Sequence, residues 1–340
     1  DVVGAICYSF AGGGVDDIRP LEDFLRDEDL TCIEYIRCEF DSKGREWYRQ
    51  VETVNNRTEL VRFFEVRAHH VDVAEQLQAA FGVLEEAEVE LPRGTDSVVQ
   101  LAAGIRTVKH HSCIIHGDLN SGNLLLAVQR GSERAPFNVA VARQEWWLRA
   151  NSALDGVQER HVASSRRAIL IDYRHTTRGP VFADFAALEA SLRLLPSQIN
   201  RKPNDIVQEF VHEQRVWSLV WGKSATDFPD KNGWESLPFW AVCSHEFARQ
   251  ARLNFELTQE EEGRESNAPP GWEREYAATC LLYCLRLLHI QDLGKDIVPY
   301  GDTSGSFVDL SKQARLRFAI WCLQLCWVLS GNYCSKGSGD

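Results

Sequence analysis

Methionine is absent from all 340 residues, including position 1. A natural chain of this length is expected to hold several. Either the chain is a fragment of unusual composition, or its methionines are missing from the sequence as written and some spacings are a residue short. No apolar run approaches the length that a membrane helix needs. The most apolar stretch, 318–329, contains Gln324 and is predicted to be a buried helix. The first ten residues lack the basic start of a secretory signal. We therefore expect no membrane partner.

Positive charge is also scarce. The chain has 37 Lys and Arg against 49 Asp and Glu, which gives a net charge of −12. An acidic surface repels phosphate backbones, so we expect no nucleic-acid partner for the molecule as a whole, although a locally basic pocket is compatible with this charge. Hydrophobic residues make up 44% and charged residues 25%. These values are typical of a soluble, globular chain with one large or two ordinary domains.

Ten cysteines are present, and their spacing argues against disulfides. Cys280 and Cys284, like Cys322 and Cys326, are four residues apart in apolar, helix-like segments. Each pair then lies on one helix face among leucines, where a buried thiol behaves as a small apolar group. This pattern predicts a reduced core and a cytoplasmic location.

Apolar periodicity predicts an α+β chain that is mostly helical. Helices are expected at 16–26, at 57–90, from Asp96 or Ser97 to about His110, and over most of the chain after Asp184; strands are expected at 31–40, 113–115, 124–128 and 168–171.

Three polar side chains stand at the ends of the expected short strands. Asp118 projects from a tight loop, Asn123 follows five residues later, and Asp172 ends a third apolar strand. If that strand pairs beside the first two, Asp172 comes close to Asn123. Phosphoryl transfer requires a carboxylate that takes the proton of an acceptor hydroxyl, and magnesium held by hard oxygen ligands. The residues therefore predict a base at Asp118 and a metal pair at Asn123 and Asp172.

The order of these residues is also that of a known family. The segment His116-Gly117-Asp118-Leu119-Asn120-Ser121-Gly122-Asn123, followed by Ile171-Asp172, resembles the aminoglycoside and choline phosphotransferase branch of the protein-kinase-like fold. Protein kinases usually have Arg at the position of Gly117, and Phe-Gly where this chain has Tyr173-Arg174. The segment 179–186 is similar to the same branch, and 184–189 resembles bacterial ternary-complex-associated phosphotransferase-like domains.

The resemblance implies catalytic roles for four residues. Asp118 would be the base, and Asn123 and Asp172 would be Mg²⁺ ligands, with ATP as the phosphoryl donor. Asn120 falls where protein kinases place a Lys and many antibiotic kinases a His, in contact with the transferred phosphate. Asn can donate a hydrogen bond there but carries no charge.

Supporting roles follow from the same resemblance. His116 would support the loop from behind, and Gly117 would belong to that support. Asp184 would cap the following helix and tie its start to the loop.

The resemblance also implies a division of the chain. Residues 1–15 would be a hinge-like strand and linker, with Tyr8 and Phe10 near adenine. Residues 16–340 would be the large, C-terminal lobe, containing a small catalytic β-hairpin and an insertion at about 129–167. The small lobe is expected to be absent or degenerate, with 31–55 as an alternative location for a degenerate one.

Two functions remain open at this point. The first is an ATP- and Mg²⁺-dependent phosphotransferase acting on a hydroxyl group of a small molecule, so that its partners are a nucleotide and an acceptor. The alternative is a catalytically weak kinase-like module (a pseudokinase) with protein partners. His110, His111 and Cys113 could suggest zinc, but no second ligand pair has metal-site spacing.

Overall fold

The computed structural model describes the following residues: 16–29, 31–40, 52–54, 63–64, 71–86, 88, 110–129, 167–194, 239–261, 272–288 and 310–329. The predicted hinge with Tyr8 and Phe10 lies outside the described residues. So do the predicted helix that starts at Asp96 or Ser97, as far as residue 109, and the interior of the predicted insertion.

Within this part, the chain is mostly helical with two small antiparallel sheets, as the periodicity predicts. The helices are α1 (Leu21–Arg26), α2 (Cys32–Glu39), α3 (Val71–Glu86), α4 (Ala183–Arg193), α5 (Phe239–Glu261), α6 (Trp272–Leu288) and α7 (Leu310–Leu329). The strands are β1 (Asp16–Pro20), β2 (Glu52–Val54), β3 (His110–Ile115), β4 (Leu124–Gln129), β5 (Arg167–Leu170) and β6 (Thr177–Pro180). A short 3₁₀ turn, Tyr173–His175, separates β5 from β6.

The two strands that flank the Asp118 loop belong to different sheets. One sheet has the order β1-β4-β5, and Leu124 pairs with Leu170. The other has the order β2-β3-β6, and Cys113 pairs with Gly179. The third expected strand, β5, therefore pairs with β4 as expected, but the expectation that it also lies beside β3 is wrong. The loop carries the chain from one sheet to the other instead of closing a hairpin.

Two local predictions near the start of the described chain are corrected. Residues 32–39 form helix α2, because Cys32, Ile33 and Ile36 are buried at helical spacing although the polarity partly alternates. Residues 16–20 form strand β1, and the predicted helix begins only at Leu21. Pro20 has φ −64°, a value that suits the residue leading into a helix.

Most of the buried core residues belong to the helices α4 to α7. In α7, Gln324 is 3% exposed among buried apolar neighbours. Seven cysteines whose side chains the structure describes are free and buried: Cys32, Cys113, Cys243, Cys280, Cys284, Cys322 and Cys326. Of the helices in the described ranges, none combines the length and the apolar character needed to cross a membrane.

A buried polar cluster joins four of these helices. The Glu189 carboxylate of α4 accepts hydrogen bonds from Arg193 (2.8 Å), from Ser244 of α5 (2.8 and 2.9 Å) and from Tyr276 of α6 (3.1 Å). The Arg193 guanidinium also lies 3.8 Å from the ring centroid of Trp321 in α7. A buried charge is stable only when it is paired and hydrogen-bonded in this way. The cluster fixes α4, which in turn holds the Asp118 loop.

Candidate functional site

The loop leaves β3 through a backbone conformation that favours glycine. Gly117 has φ +83°, and a Cβ atom at this position would meet the backbone carbonyl of His175. An L residue is strained in this region whatever the available space. The loop can therefore lie directly against the Tyr173–His175 turn.

A single buried carboxylate holds the start of the loop. Asp184, in the first turn of α4, accepts the backbone N–H of His116 at 2.8 Å and that of Gly117 at 2.9 Å. Its side chain is 1% exposed. A carboxylate in a first helical turn is also stabilised by the helix dipole. The structure thus brings together Asp184 and the loop that it was expected to support. The expectation that Asp184 caps the helix is wrong, because α4 has Phe182 as its N-cap residue and no side chain caps it.

The second half of the loop is tied to the same helix. The backbone N–H of Ser121 donates to the Ser191 hydroxyl at 3.1 Å, and Ser191 lies two turns after Asp184 on α4. The Ser121 carbonyl accepts the backbone N–H of Glu22 in α1 at 3.1 Å. The loop is therefore held at both ends by α4, and α1 supports it from another side.

His116 connects the loop to the end of β5. The ring is fully buried, and its Nε2 lies 2.7 Å from the Ile171 carbonyl, so Nε2 carries the proton and donates. The ring centroid is 5.3 Å from that of Tyr173. His116 thus joins the loop to the residues on either side of Asp172.

Asn120 closes the turn within the loop. Its Oδ1 accepts the backbone N–H groups of Gly122 (2.9 Å) and Asn123 (3.2 Å), which is the side-chain pattern of an Asx turn. Its Nδ2 lies 3.4 Å from Asp118 Oδ1. The amide oxygen is therefore committed to the turn, and the amide nitrogen faces the carboxylate expected to be the base.

Asn123 contacts Asp118 through its amide nitrogen. Nδ2 donates to the Asp118 carbonyl at 2.8 Å and lies 3.4 Å from Asp118 Oδ2. These contacts decide which way the amide points. They leave Asn123 Oδ1, the atom type that binds Mg²⁺, without a hydrogen bond inside the described ranges.

Backbone pairing brings Asp172 next to Asn123. The Ile171 N–H donates to the Asn123 carbonyl at 3.0 Å, which extends the β4–β5 ladder by one pair. Asp172 follows in the left-handed region, with φ 58° and ψ 58°, and its side chain is exposed. A non-glycine residue in this region is uncommon and is found more often at functional sites. The structure thus places all three expected chemical residues at one end of β4 and β5.

This donor set suits magnesium rather than a closed transition-metal site. Mg²⁺ takes oxygen ligands, usually one or two carboxylates, and fills its remaining positions with water and substrate phosphates. Asp172 offers an exposed carboxylate and Asn123 an amide oxygen. In the described part of the chain, no three or more His, Cys, Asp or Glu side chains form a group that could hold a metal.

One histidine of β3, His111, binds a carboxylate of α6. The His111 backbone N–H and ring Nδ1 both contact the Glu275 carboxylate of α6, the ring at 2.8 Å. Glu275 is 2% exposed. Burial raises the pKa of Glu275, and the hydrogen bonds from His111 oppose that rise. This contact ties β3 to α6.

The sequence pattern does not single out Tyr283 of α6, whose phenol is affected by the Asp118 carboxylate of the loop. Burial and then the Asp118 carboxylate raise the pKa of Tyr283 to about 12. Its position within an apolar helical pattern is typical of a core residue, and no sequence signal distinguishes it from one.

No protein-family model matches the chain, and neither a curated protein nor a solved structure matches it significantly.

Proposed function

We propose that this chain is the large lobe of a protein-kinase-like phosphotransferase that transfers the γ-phosphoryl group of ATP to a hydroxyl group of a small molecule. The observation that carries the proposal is the convergence of Asp118, Asn123 and Asp172 on a loop whose backbone is held by Asp184. Preorganised polar groups on a rigid support are what phosphoryl transfer requires, because catalysis of this reaction is mostly positioning and charge stabilisation.

Asp118 is the proton acceptor in this proposal. The acceptor hydroxyl donates its hydrogen bond to the Asp118 carboxylate. As the acceptor oxygen bonds to the γ-phosphorus, the bond to the β–γ bridging oxygen breaks, ADP leaves, and the hydroxyl proton moves to Asp118. The hydrogen bonds from Asn120 and Asn123 orient the carboxylate. Asp118 therefore needs little reorganisation to reach the transition state.

Asn123 and Asp172 would hold Mg²⁺ through Oδ1 and the exposed carboxylate. The chemistry that Mg²⁺ supplies when bound is neutralisation of the charge on the phosphate oxygens. The left-handed backbone at Asp172 presents this carboxylate at the end of the ladder beside Asn123.

Radiolabelled ATP tests the proposal on the full-length gene product. Release of γ-phosphate to water and to a panel of hydroxyl compounds is measured with Mg²⁺, for the wild type and for Asp118→Asn. Loss of a general base lowers turnover by roughly 10²–10⁴-fold. Nucleotide affinity should change little, because Asp118 contacts the acceptor rather than ATP.

Asp27→Asn is the matched control, because Asp27 is an exposed carboxylate that pairs with Arg19. It should leave turnover unchanged. Equal turnover in the wild type and in Asp118→Asn would exclude Asp118 as the base, and the absence of any Mg²⁺-dependent transfer would exclude the enzyme.

A second candidate is a pseudokinase module that serves protein interaction. The use of Asn120 favours it, because this side chain closes the turn and brings no positive charge to the transferred phosphate. Nucleotide binding without transfer, unaffected by Asp118→Asn, would support this function over the first.

The cytoplasm is the compartment that we propose. Seven buried thiols without a disulfide suit a reducing environment, in which such thiols remain stable.

A further inference from the structure

Helix α6 is joined to β3 through one residue on each element. It is anchored at its start, where Glu275 binds both the backbone and the ring of His111. Tyr283 lies eight residues further along α6, which is about 12 Å at 1.5 Å per residue. Ile115, at the end of β3, lies four residues after His111, or about 13 Å along the strand. If α6 and β3 run in the same direction, Tyr283 arrives where β3 ends and the loop begins.

A series of aromatic contacts supports the same direction. The Tyr283 ring packs edge-on against Phe64 at 6.1 Å, and Phe64 packs edge-on against Phe63 at 5.0 Å. Phe63 in turn lies against Gly179 of β6, where an added Cβ would meet both Phe63 and Ile115. These contacts therefore join Tyr283 to the end of β3, immediately before the loop.

The phenol of Tyr283 differs from that of Tyr276, the tyrosine two turns earlier on the same helix. The Tyr276 hydroxyl is fully buried and donates to Glu189 at 3.1 Å. The Tyr283 side chain is only partly buried, and its hydroxyl makes no hydrogen bond within the residues that the structure describes. The Tyr276 phenol is therefore bound inside the helical core, whereas the Tyr283 phenol has no hydrogen-bond partner among the described residues.

The phenol of Tyr283 is protonated at neutral pH, as that of an ordinary tyrosine is. Burial and the carboxylates of Asp118 and Asp184 raise the pKa of Tyr283 to about 12, and the guanidinium of Arg286 opposes that rise. A protonated phenol is a hydrogen-bond donor. Asp118 is an acceptor, so a small hydroxyl compound between the two would meet one donor and one acceptor.

We propose that Tyr283 is the acceptor-side positioning residue of this site: its phenol donates a hydrogen bond to the oxygen of the hydroxyl group whose proton Asp118 accepts. This inference rests on the proposed phosphotransferase function. With one lone pair of the acceptor oxygen bound by Tyr283 and its proton bound by Asp118, the other lone pair is directed at the γ-phosphorus. Tyr283 fixes the direction of attack and takes no proton.

Hydrolysis of MgATP by the full-length gene product tests this role, with water as the probe acceptor. Tyr283→Phe keeps the ring and its contact with Phe64 but removes the donor. We expect kcat to fall about tenfold, while the KM for ATP stays within about twofold, because only positioning of the acceptor is lost. Asp27→Asn, which changes an exposed carboxylate that pairs with Arg19, should leave kcat within about twofold of the wild type.

This assay separates failure of the proposed role of Tyr283 from failure of the proposed function. If the wild type hydrolyses ATP and Tyr283→Phe matches it, the role of Tyr283 is excluded and the proposed function stands. If the wild type neither binds nor hydrolyses MgATP, the proposed function is excluded, and the role of Tyr283 with it.

A titration that needs no activity tests the juxtaposition itself. Tyrosines are labelled with ¹³C at Cζ, and the Tyr283 signal is assigned by its absence in Tyr283→Phe. Asp118→Asn should lower the pKa of Tyr283, and Arg286→Gln, a change at an exposed side chain, should raise it. Asp27→Asn should leave it unchanged. If Asp118→Asn does not shift this titration, Tyr283 does not face the loop and the inference is overturned, whatever the effect of Arg286→Gln.

Discussion

Replacement of Asp184 by Asn tests the support of the loop quantitatively. The carboxylate accepts two backbone N–H groups while almost fully buried. An amide keeps one acceptor oxygen but turns an NH₂ group towards the other N–H. One charge-assisted bond is lost and one buried donor is left unpaired. The expected cost to the free energy of unfolding is about 2–4 kcal/mol.

Urea unfolding measures this cost. With a slope of about 3 kcal/mol per molar urea, the midpoint should fall by about 1 M without a change in slope. Asp184→Ala, which removes both bonds, should lower it further. Hydrogen exchange at the His116 and Gly117 amides should become faster in both variants, because these are the two donors.

Asp27→Asn is the comparison variant for this measurement. Asp27 binds Arg19 at 2.8 Å, but its side chain is 53% exposed. Its loss should cost about 0.5 kcal/mol or less. If Asp184→Asn costs no more than Asp27→Asn, the carboxylate does not hold the loop and the reasoning about its support is refuted.

Three further predictions concern other parts of the molecule. Gly117→Ala should destabilise the protein by at least about 1–2 kcal/mol, because Gly117 has a positive φ. Gly82→Ala, at a helical site with open space, should stabilise the protein by about 0.5–1 kcal/mol. Urea midpoints compare the two, and equal shifts would contradict the steric role of Gly117. The seven buried thiols should fail to react with a thiol reagent in the native protein. After unfolding without reductant all ten thiols should react, and fewer than ten reactive thiols would indicate a disulfide. Burial lowers the pKa of His245 from 6.5 to about 3. Because the imidazole of the unfolded chain then binds a proton more tightly than that of the folded chain, the free energy of unfolding should decline as the pH falls from about 6.5 towards 3. His245→Gln should flatten that decline in urea titrations at several pH values, and an unchanged decline would rule out this histidine as its source.

The short-range parts of the site are predictable from sequence. Asp118 and Asn123 lie between two apolar strands, and Asp172 follows a third, so local pattern alone indicates loop residues at strand ends. Pairing is harder to predict, because β3 and β4 are adjacent in sequence but join different sheets. Alternating polarity in 31–40 favours a strand, but burial against β5 and neighbouring helices accompanies helix α2, which shows how tertiary packing overrides a weak local pattern.

Long-range contacts of the site are not encoded in any local pattern. The support of the loop by Asp184 is expected only from the family resemblance, because its partners lie 67 and 68 residues earlier. Glu275 and Tyr283 sit in a helix whose periodicity describes a core element. Their proximity to β3 and the loop depends on how α6 packs, and a single sequence does not contain that information.

Titration calorimetry of ATP into the full-length gene product tests the central claim most directly. The account predicts binding that requires Mg²⁺, that persists in Asp118→Asn, and that loses its Mg²⁺ dependence in Asp172→Asn. No heat of binding in the presence of Mg²⁺, or binding that is the same with and without the Asp172 carboxylate, would contradict the assignment of this loop as a phosphotransfer site.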